Sequence, residues 1–265
     1  MPVYKAEGIV LRQHAMGEAD RAITLLTREY GKLRAAARGI RRTTSRLGGR
    51  VEPFTHAQFL LAKGKTLDVI AQVEVLEAFA GLRADLLRSA YAAYVAELAD
   101  RFLPERDRHE SAFTLVRDAL AALAGAGEEE AELVALWFAL HLAADLGYRP
   151  EAETCVGCGR PLPREGGRPA EAWAFSPAFG GALCPACAAR DADAVRTHPG
   201  VLATCAYLLR LPPGRESRLR IAVGERRELA RLVQVHLEYR LEAKLRAPFV
   251  IGRLREPQPK AQRAW

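Results

Sequence analysis

Leu67-Asp-Val-Ile-Ala-Gln-Val-Glu-Val-Leu76 is the stretch on which the reading of the fold turns. Leu67, Val69, Ala71, Val73 and Val75 alternate with Asp68, Gln72 and Glu74, the period-two pattern of a strand buried on one face. Toward the N-terminus, four more segments read as short strands: His56 to Ala62, Lys32 to Ile40, Ala22 to Thr27 and Glu7 to Gln13. Tyr30-Gly31 and Lys63-Gly64-Lys65 separate strands as turn signals. Five short strands within residues 1–80 predict a small barrel, an OB-fold, although an SH3-like barrel has similar sequence features.

The third of these strands connects the barrel to charge. In extended conformation Lys32, Arg34 and Arg38 share one face, and Leu33, Ala35, Ala37 and Gly39 share the other. The strand feeds Arg41-Arg-Thr-Thr-Ser-Arg-Leu-Gly-Gly-Arg50, a loop too basic to be buried and suited to tracking a phosphate backbone. Arg28, Lys32, Arg34, Arg38, Arg41, Arg42, Arg46 and Arg50 stand against the single acid Glu29. A charge run is ordinarily a solvated face, but this one repels itself unless an anion meets it. Phe54 and Phe59 lie close by; core packing is the simpler role for each, base stacking the alternative.

After Gly81 the period changes to about 3.6. Leu87, Tyr91, Tyr94, Leu98 and Phe102 predict an amphipathic helix ended by Pro104. Phe113, Val116, Leu120 and Leu123 predict a second, closed by Gly125 and Gly127. Glu128 to Asp145, apolar nearly all round, predicts a third running through the core, with His141 a core residue. Helices resume over Pro199 to Leu211, where Cys205 reads as a small buried hydrophobe, and over Glu225 to Arg246.

Between these helices lies Cys155-Val-Gly-Cys158, answered after 25 residues by Cys184-Pro-Ala-Cys187. Two C-x-x-C pairs supply the four thiolates of a tetrahedral zinc site, so Cys155, Cys158, Cys184 and Cys187 are the expected ligands of one structural Zn²⁺. Gly159 fits the positive φ that turns backbone N–H groups toward sulfur. Disulfides and a thioredoxin-like redox pair are the alternatives; nothing suggests an oxidising compartment, and no βαβ pattern precedes either pair. The surrounding segment is rich in proline and carries Gly-Gly at 166 and 180, so a metal is expected to hold it. Trp173, Phe175 and Phe179 are expected to cover the sulfurs.

The chain has 265 residues and a net charge of +7 with pI near 9.4, which favours a polyanionic partner, nucleic acid before membrane. The N-terminus lacks a charged segment followed by an apolar run, and Leu133 to Ala144 is too short to span a bilayer, so a cytoplasmic protein is expected. Four thiolates close a zinc site to water, unlike a catalytic centre. No phosphate-binding glycine loop, dinucleotide fingerprint or nucleophile elbow occurs, and scattered carboxylates such as Asp68, Glu74, Asp100 and Asp145 suggest no acid–base pair. An enzyme is not expected.

Four stretches in order resemble the RecO family of bacterial recombination mediators. They are Glu7-Gly-Ile-Val-Leu-Arg12 with Gly17-Glu-Ala-Asp20; Thr27-Arg-Glu-Tyr-Gly-Lys32; Ala37-Arg-Gly-Ile-Arg-Arg-Thr-Thr-Ser-Arg46 running on to Glu52-Pro-Phe54; and Leu146-Gly-Tyr-Arg-Pro150 leading to Cys155-Val-Gly-Cys-Gly159, with Phe175-Ser and Gly180-Gly-Ala-Leu-Cys184 behind it. The resemblance implies an OB-fold, a helical domain and, in many members, a zinc-binding insert. With the residue patterns this gives an α+β multidomain protein with an OB-fold DNA-binding domain over 1–80, a helical domain over 81–148 and 191–250, a four-cysteine zinc-binding insert over 149–190 and, from its prolines and basic residues, a flexible basic tail over 251–265. It also implies binding of single- and double-stranded DNA, annealing of complementary strands, and cooperation with RecR in placing RecA on DNA covered by single-strand-binding protein, without catalysis. The DNA contacts would be Lys32, Arg34, Arg38, Arg41, Arg42, Arg46 and Arg50. The competing class is a zinc-ribbon transcription or RNA-binding protein, favoured by Arg160, Arg164 and Arg168 beside the cysteines.

Overall fold

The computed structural model describes residues 2–41, 45, 47–163, 172–215 and 219–256. Residues 3–77 form a closed barrel of β1 (Val3–Met16), β2 (Asp20–Thr27), β3 (Gly31–Ala37), β4 (His56–Ala62) and β5 (Asp68–Glu77). The order around the barrel is β1-β2-β3-β5-β4, with β4 pairing back onto β1. Every pairing is antiparallel except β3 with β5, where Ala35 faces Asp68 and Ala36 faces Val69. This is the OB-like barrel expected. Val10, Ile23, Leu25, Leu33, Phe59 and Leu61 fill its interior, so Phe59 is a core residue.

The strand at Leu67 to Leu76 departs from strict alternation. Ile70 and Val73 point inward while Ala71 and Val75 are exposed, because the register against β4 shifts between Leu60 and Leu61. Leu61 faces Ile70 and Leu60 faces Gln72, which leaves Ala71 as the extra residue of a bulge. A bulge reverses the phase of every side chain beyond it. Asp68, expected on the wet face, is fully buried.

The barrel is docked on the helices. Ile9, Leu11 and Leu26, on the outside of the barrel, join the helical core with Tyr91, Val95 and Leu98. The helices are α1 (Ala80–Arg83), α2 (Leu86–Phe102), α3 (Glu110–Gly125), α4 (Glu128–Asp145), the short α5 (Pro185–Ala188), α6 (Pro199–Leu208), α7 (Val223–Leu241) and α8 (Ala247–Arg255). The link from α2 to α3 closes against the start of β3, where the N–H of Arg106 donates to the carbonyl of Lys32 at 2.7 Å. Gly31, at φ +65°, is required here: a Cβ would lie 1.8 Å from the carbonyl oxygen of Asp107.

Asp85 caps α2 by accepting from the N–H of Arg88 at 2.8 Å, and Pro104 follows its end. Helix α4 is buried from Ala131 to Leu140, the central position its composition predicts. His141 is half-buried, with Nε2 3.1 Å from the carbonyl of Leu208.

Residues 251–255, expected in the tail, are the last turns of α8. They are held there because Arg255 donates to Glu132 on α4 at 2.6 Å, and Glu132 also pairs with Arg226 of α7 at 2.8 Å. Pro257, Pro259, Lys260 and Arg263 lie outside the described residues.

The cysteine segment also has more regular structure than its prolines suggest. β6 (Trp173–Ser176), β7 (Gly181–Leu183) and β8 (Val195–Thr197) form a sheet in the order β7-β6-β8. Trp173, Phe175 and Leu183 belong to the same core as the helices. Phe179, expected over the sulfurs, is 69% exposed.

Candidate nucleic-acid interface and metal centre

The basic loop begins from a turn built by two separated stretches of sequence. After β3 ends at Ala37, Gly39 takes φ +63° and its N–H donates to Asp20 Oδ1 at 2.7 Å. The N–H of Arg41 donates to the carbonyl of Ala19 at 3.1 Å. Gly17-Glu-Ala-Asp20 thus holds the chain that presents Arg38 and Arg41. On the return, Gly49 at φ +74° and an Arg50 N–H to Leu47 carbonyl bond of 3.1 Å bring the chain to the buried Val51.

Arg34, Arg38, Arg41 and Arg50 are exposed, and none forms a salt bridge among the described residues. Arg42 and Arg46 lie outside the described residues. Lys32 lies on the same side of β3 as Arg34 but is not open to solvent. Its side chain is only 11% exposed, and Nζ lies 3.4 Å from Asp100 Oδ1 of α2 and donates to the Asp100 carbonyl. Arg28 is likewise engaged, 2.9 Å from Glu110 and 3.4 Å from Glu7. The alternation of β3 correctly places Lys32 outside the barrel core; the α2–α3 link then covers it. No pattern in the sequence marks Asp100 as its partner.

Between the barrel and helices α2 and α8 lies a cleft of about 1020 Å³, lined in part by Glu52, Pro53 and Phe54. Phe54 holds φ +71°, a left-handed backbone that costs a bulky residue about 1–3 kcal/mol. Its N–H donates to the carbonyl of Val10 at 2.7 Å, and the ring packs on the helical core while forming part of the cleft wall. The sequence favours core packing for Phe54 with base stacking as the alternative, and the ring is indeed buried.

The four cysteine sulfurs lie within 4.8 Å of one another, and those of Cys158 and Cys184 are 3.7 Å apart. A tetrahedron of metal–sulfur bonds about 2.3 Å long has sulfur–sulfur edges of about 3.8 Å, so the cluster is dimensioned to hold one metal ion. Gly159 takes φ +74°, as the spacing predicts, but its N–H donates to the carbonyl of Cys155 at 2.8 Å and not to a sulfur. Burial raises the Cys155 pKa, yet N–H groups of Cys184, Gly157 and Cys158 outweigh it and bring the thiol to about 6. Cys187, whose S–H donates to the sulfurs of Cys184 and Cys158, is pushed up to about 12. A cation resolves this conflict by letting all four ionise together. Cys205 stands apart, fully buried, with its thiol pushed by burial up to about 12.

The cluster sits at the edge of the protein's interior, with Cys158 exposed and Cys187 half-buried. Cys155 and Cys184 are buried in the helical core, and the first knuckle is pinned to β7 by the Val156 N–H to Ala182 carbonyl bond of 2.8 Å. Of the arginines that favoured a ribbon reader, Arg164 and Arg168 lie outside the described residues.

Residues 1–79 match the model for the Recombination protein O N terminal domain, and residues 83–248 match that for the Recombination protein O C terminal domain. The chain belongs to the RecO family. The DNA repair protein RecO of Pelotomaculum thermopropionicum is 40% identical over 247 residues, 93% of each chain. That of Symbiobacterium thermophilum is 36% identical over 255 residues, 96% of this chain and 99% of the relative. That of Heliobacterium modesticaldum is 38% identical over 271 residues, 99% and 96% respectively. RecO membership bears out the resemblance read from the ordered stretches, and the two family models divide close to where the periodicity changes from strand to helix. Among the described residues no helix is long and apolar enough to cross a membrane.

Proposed function

We propose that this RecO protein binds single- and double-stranded DNA without sequence preference and anneals complementary strands. The supporting observation is the succession of exposed cations Arg34, Arg38, Arg41 and Arg50 along β3 and the following loop, unpaired among the described residues. Arg42 and Arg46 extend that series by sequence. Such contacts hold phosphates without reading bases, and cations that neutralise two strands together lower the repulsion opposing annealing. Lys32 is left out of the set because Asp100 already engages it. The protein acts with RecR to place RecA on DNA covered by single-strand-binding protein, in the cytoplasm at the nucleoid, as a mediator without turnover of its own.

The metal is Zn²⁺, held by Cys155, Cys158, Cys184 and Cys187 as a closed structural site. When bound it supplies a cross-link between the knuckles. The residues around it do the rest: β6 and β7 bury Trp173, Phe175 and Leu183 against the helices.

The test follows annealing of complementary oligonucleotides and DNA affinity across a salt series. Replacing Arg34, Arg38 and Arg41 with alanine is expected to weaken binding to all sequences about equally and to reduce the slope of log K against log salt by roughly two to three units. An unchanged slope refutes the assignment.

A further inference from the structure

We propose that the cleft between the barrel and helices α2 and α8 is a path for a short run of unpaired DNA, so that the protein distinguishes single strands from duplex there. The proposal rests on the DNA-binding reading and adds where unpaired bases go. Three features carry it.

The first is the composition of the walls. Pro53 and Phe54 form an apolar wall on the barrel side, and Ala93 of α2 and Val250 of α8 are exposed apolar positions facing it. The small side chains of Ala93 and Val250 leave room for planar bases, while Phe54, buried in the helical core, backs the barrel-side wall. The strained backbone of Phe54 is a feature to be explained by function, since a glycine there would hold the same turn without strain.

The second is charge. Arg21, Arg41 and Arg246 line the cleft without a carboxylate partner among the described residues; Arg21 is hydrogen-bonded to the neutral Gln13. Of the acids present, Asp100 is engaged by Arg12 at 2.8 Å and by Lys32. Glu97 accepts from the N–H groups of Arg246 at 2.9 Å and Ala247 at 2.8 Å. Glu52 alone remains against three arginines, so the lining favours a polyanion.

The third is continuity and size. Arg41 belongs both to the basic face and to the cleft, so a backbone tracking the loop reaches the opening without leaving positive charge. At about 1020 Å³ the space is at the top of the range of small-molecule sites, about 300–1,000 Å³, enough for a few bases and too small for a double helix. A duplex, with its bases stacked inside, would meet only the outer face.

The test uses the full chain with labelled oligo(dT) and a blunt hairpin duplex as separate probes. Ala93→Trp fills the cleft from an exposed position on α2, and Val250→Glu sets a negative charge on the opposite wall, also at an exposed position. Each is expected to weaken oligo(dT) binding about tenfold while the hairpin duplex binds within about twofold of wild type. A 4-thiothymidine strand is expected to crosslink to residues 52–54 and 246–250. Wild-type oligo(dT) affinity in both variants, or equal losses for both probes, overturns the proposal. Loss of an acidic peptide's binding with oligo(dT) unaffected makes the cleft a protein site and likewise overturns it. Failure of the basic-face reading is separate: there the alanine variant at Arg34, Arg38 and Arg50, none of which lines the cleft, binds both probes as wild type does.

Discussion

Lys32→Met separates the two roles a cation near the DNA face can have. The substitution keeps an unbranched stem of similar length and removes the charge. Lys32 Nζ lies 3.4 Å from the Asp100 carboxylate, whose side chain is 15% exposed. At an effective dielectric of about 20 the gross attraction is about 5 kcal/mol, most of it offset by desolvation of the two groups. Asp100 keeps Arg12 at 2.8 Å, so it is not stranded, and what is lost is chiefly the bond to the Asp100 carbonyl and the residual pairing. That sets the cost at about 1–3 kcal/mol, a fall in Tm of roughly 2–10 °C for a chain of this size. Asp100→Ala removes the carboxylate from both Lys32, which keeps the carbonyl of residue 100, and Arg12, which is 49% exposed and stays solvated, and is expected to cost about 1–3 kcal/mol. Thermal unfolding followed by circular dichroism, beside the salt dependence of oligonucleotide binding, gives both readouts on one sample. The expected result is a lowered Tm with an unchanged salt slope. A slope reduced by about one unit at unchanged Tm would place Lys32 on the phosphates and refute the barrel–helix contact described above.

Metal analysis of the purified protein is expected to find one zinc ion per chain. Chelation, or Cys184→Ala, is expected to unfold the segment around β6 and β7, read as loss of near-ultraviolet signal from Trp173; an unaltered signal after complete metal removal would show that the sheet stands alone. Asp68 is fully buried, which by itself raises its pKa, but hydrogen bonds from the Tyr4 hydroxyl, the Gly64 N–H and Arg106 hold it below the ordinary carboxylate range. Because the folded pKa is depressed, its contribution to stability is present above the unfolded value of about 3.9 and is lost as pH falls through the folded value. Asp68→Asn is therefore expected to lower stability at about pH 7 by about 1–3 kcal/mol and to flatten the loss below about pH 4 seen in wild type. Equal acid sensitivity in the two proteins would assign that loss elsewhere.

The periodicities settled which segments become strands and helices. β4 spans His56–Ala62 and α4 spans Glu128–Asp145, the limits the pattern itself sets, because each buries a continuous face or nearly its whole circumference. β5 was legible as a strand, but its inward set was not: the bulge at Ala71 comes from pairing with β4, an event between separate segments of the chain. The end of α8 was hidden for a similar reason, since Arg255 is held by Glu132 across 123 residues.

For the sites, the sequence alone brought out the four cysteines that the fold gathers within 4.8 Å of one another, because a C-x-x-C pair fixes two sulfurs locally and only two such pairs exist to be joined. It also determined that a basic strand and loop follow β2, since charge density is a property of the chain itself. Tertiary structure alone decided which of those cations remain free. Arg34 and Lys32 sit two residues apart on the same side of β3, yet Arg34 faces solvent while Asp100 and the α2–α3 link cover Lys32. Alternation assigns a side chain to a face, and only the docking of a second domain decides whether that face stays open. The cleft beside Phe54 belongs to the same class: its walls come from the barrel, α2 and α8, and it exists only once those three are brought together.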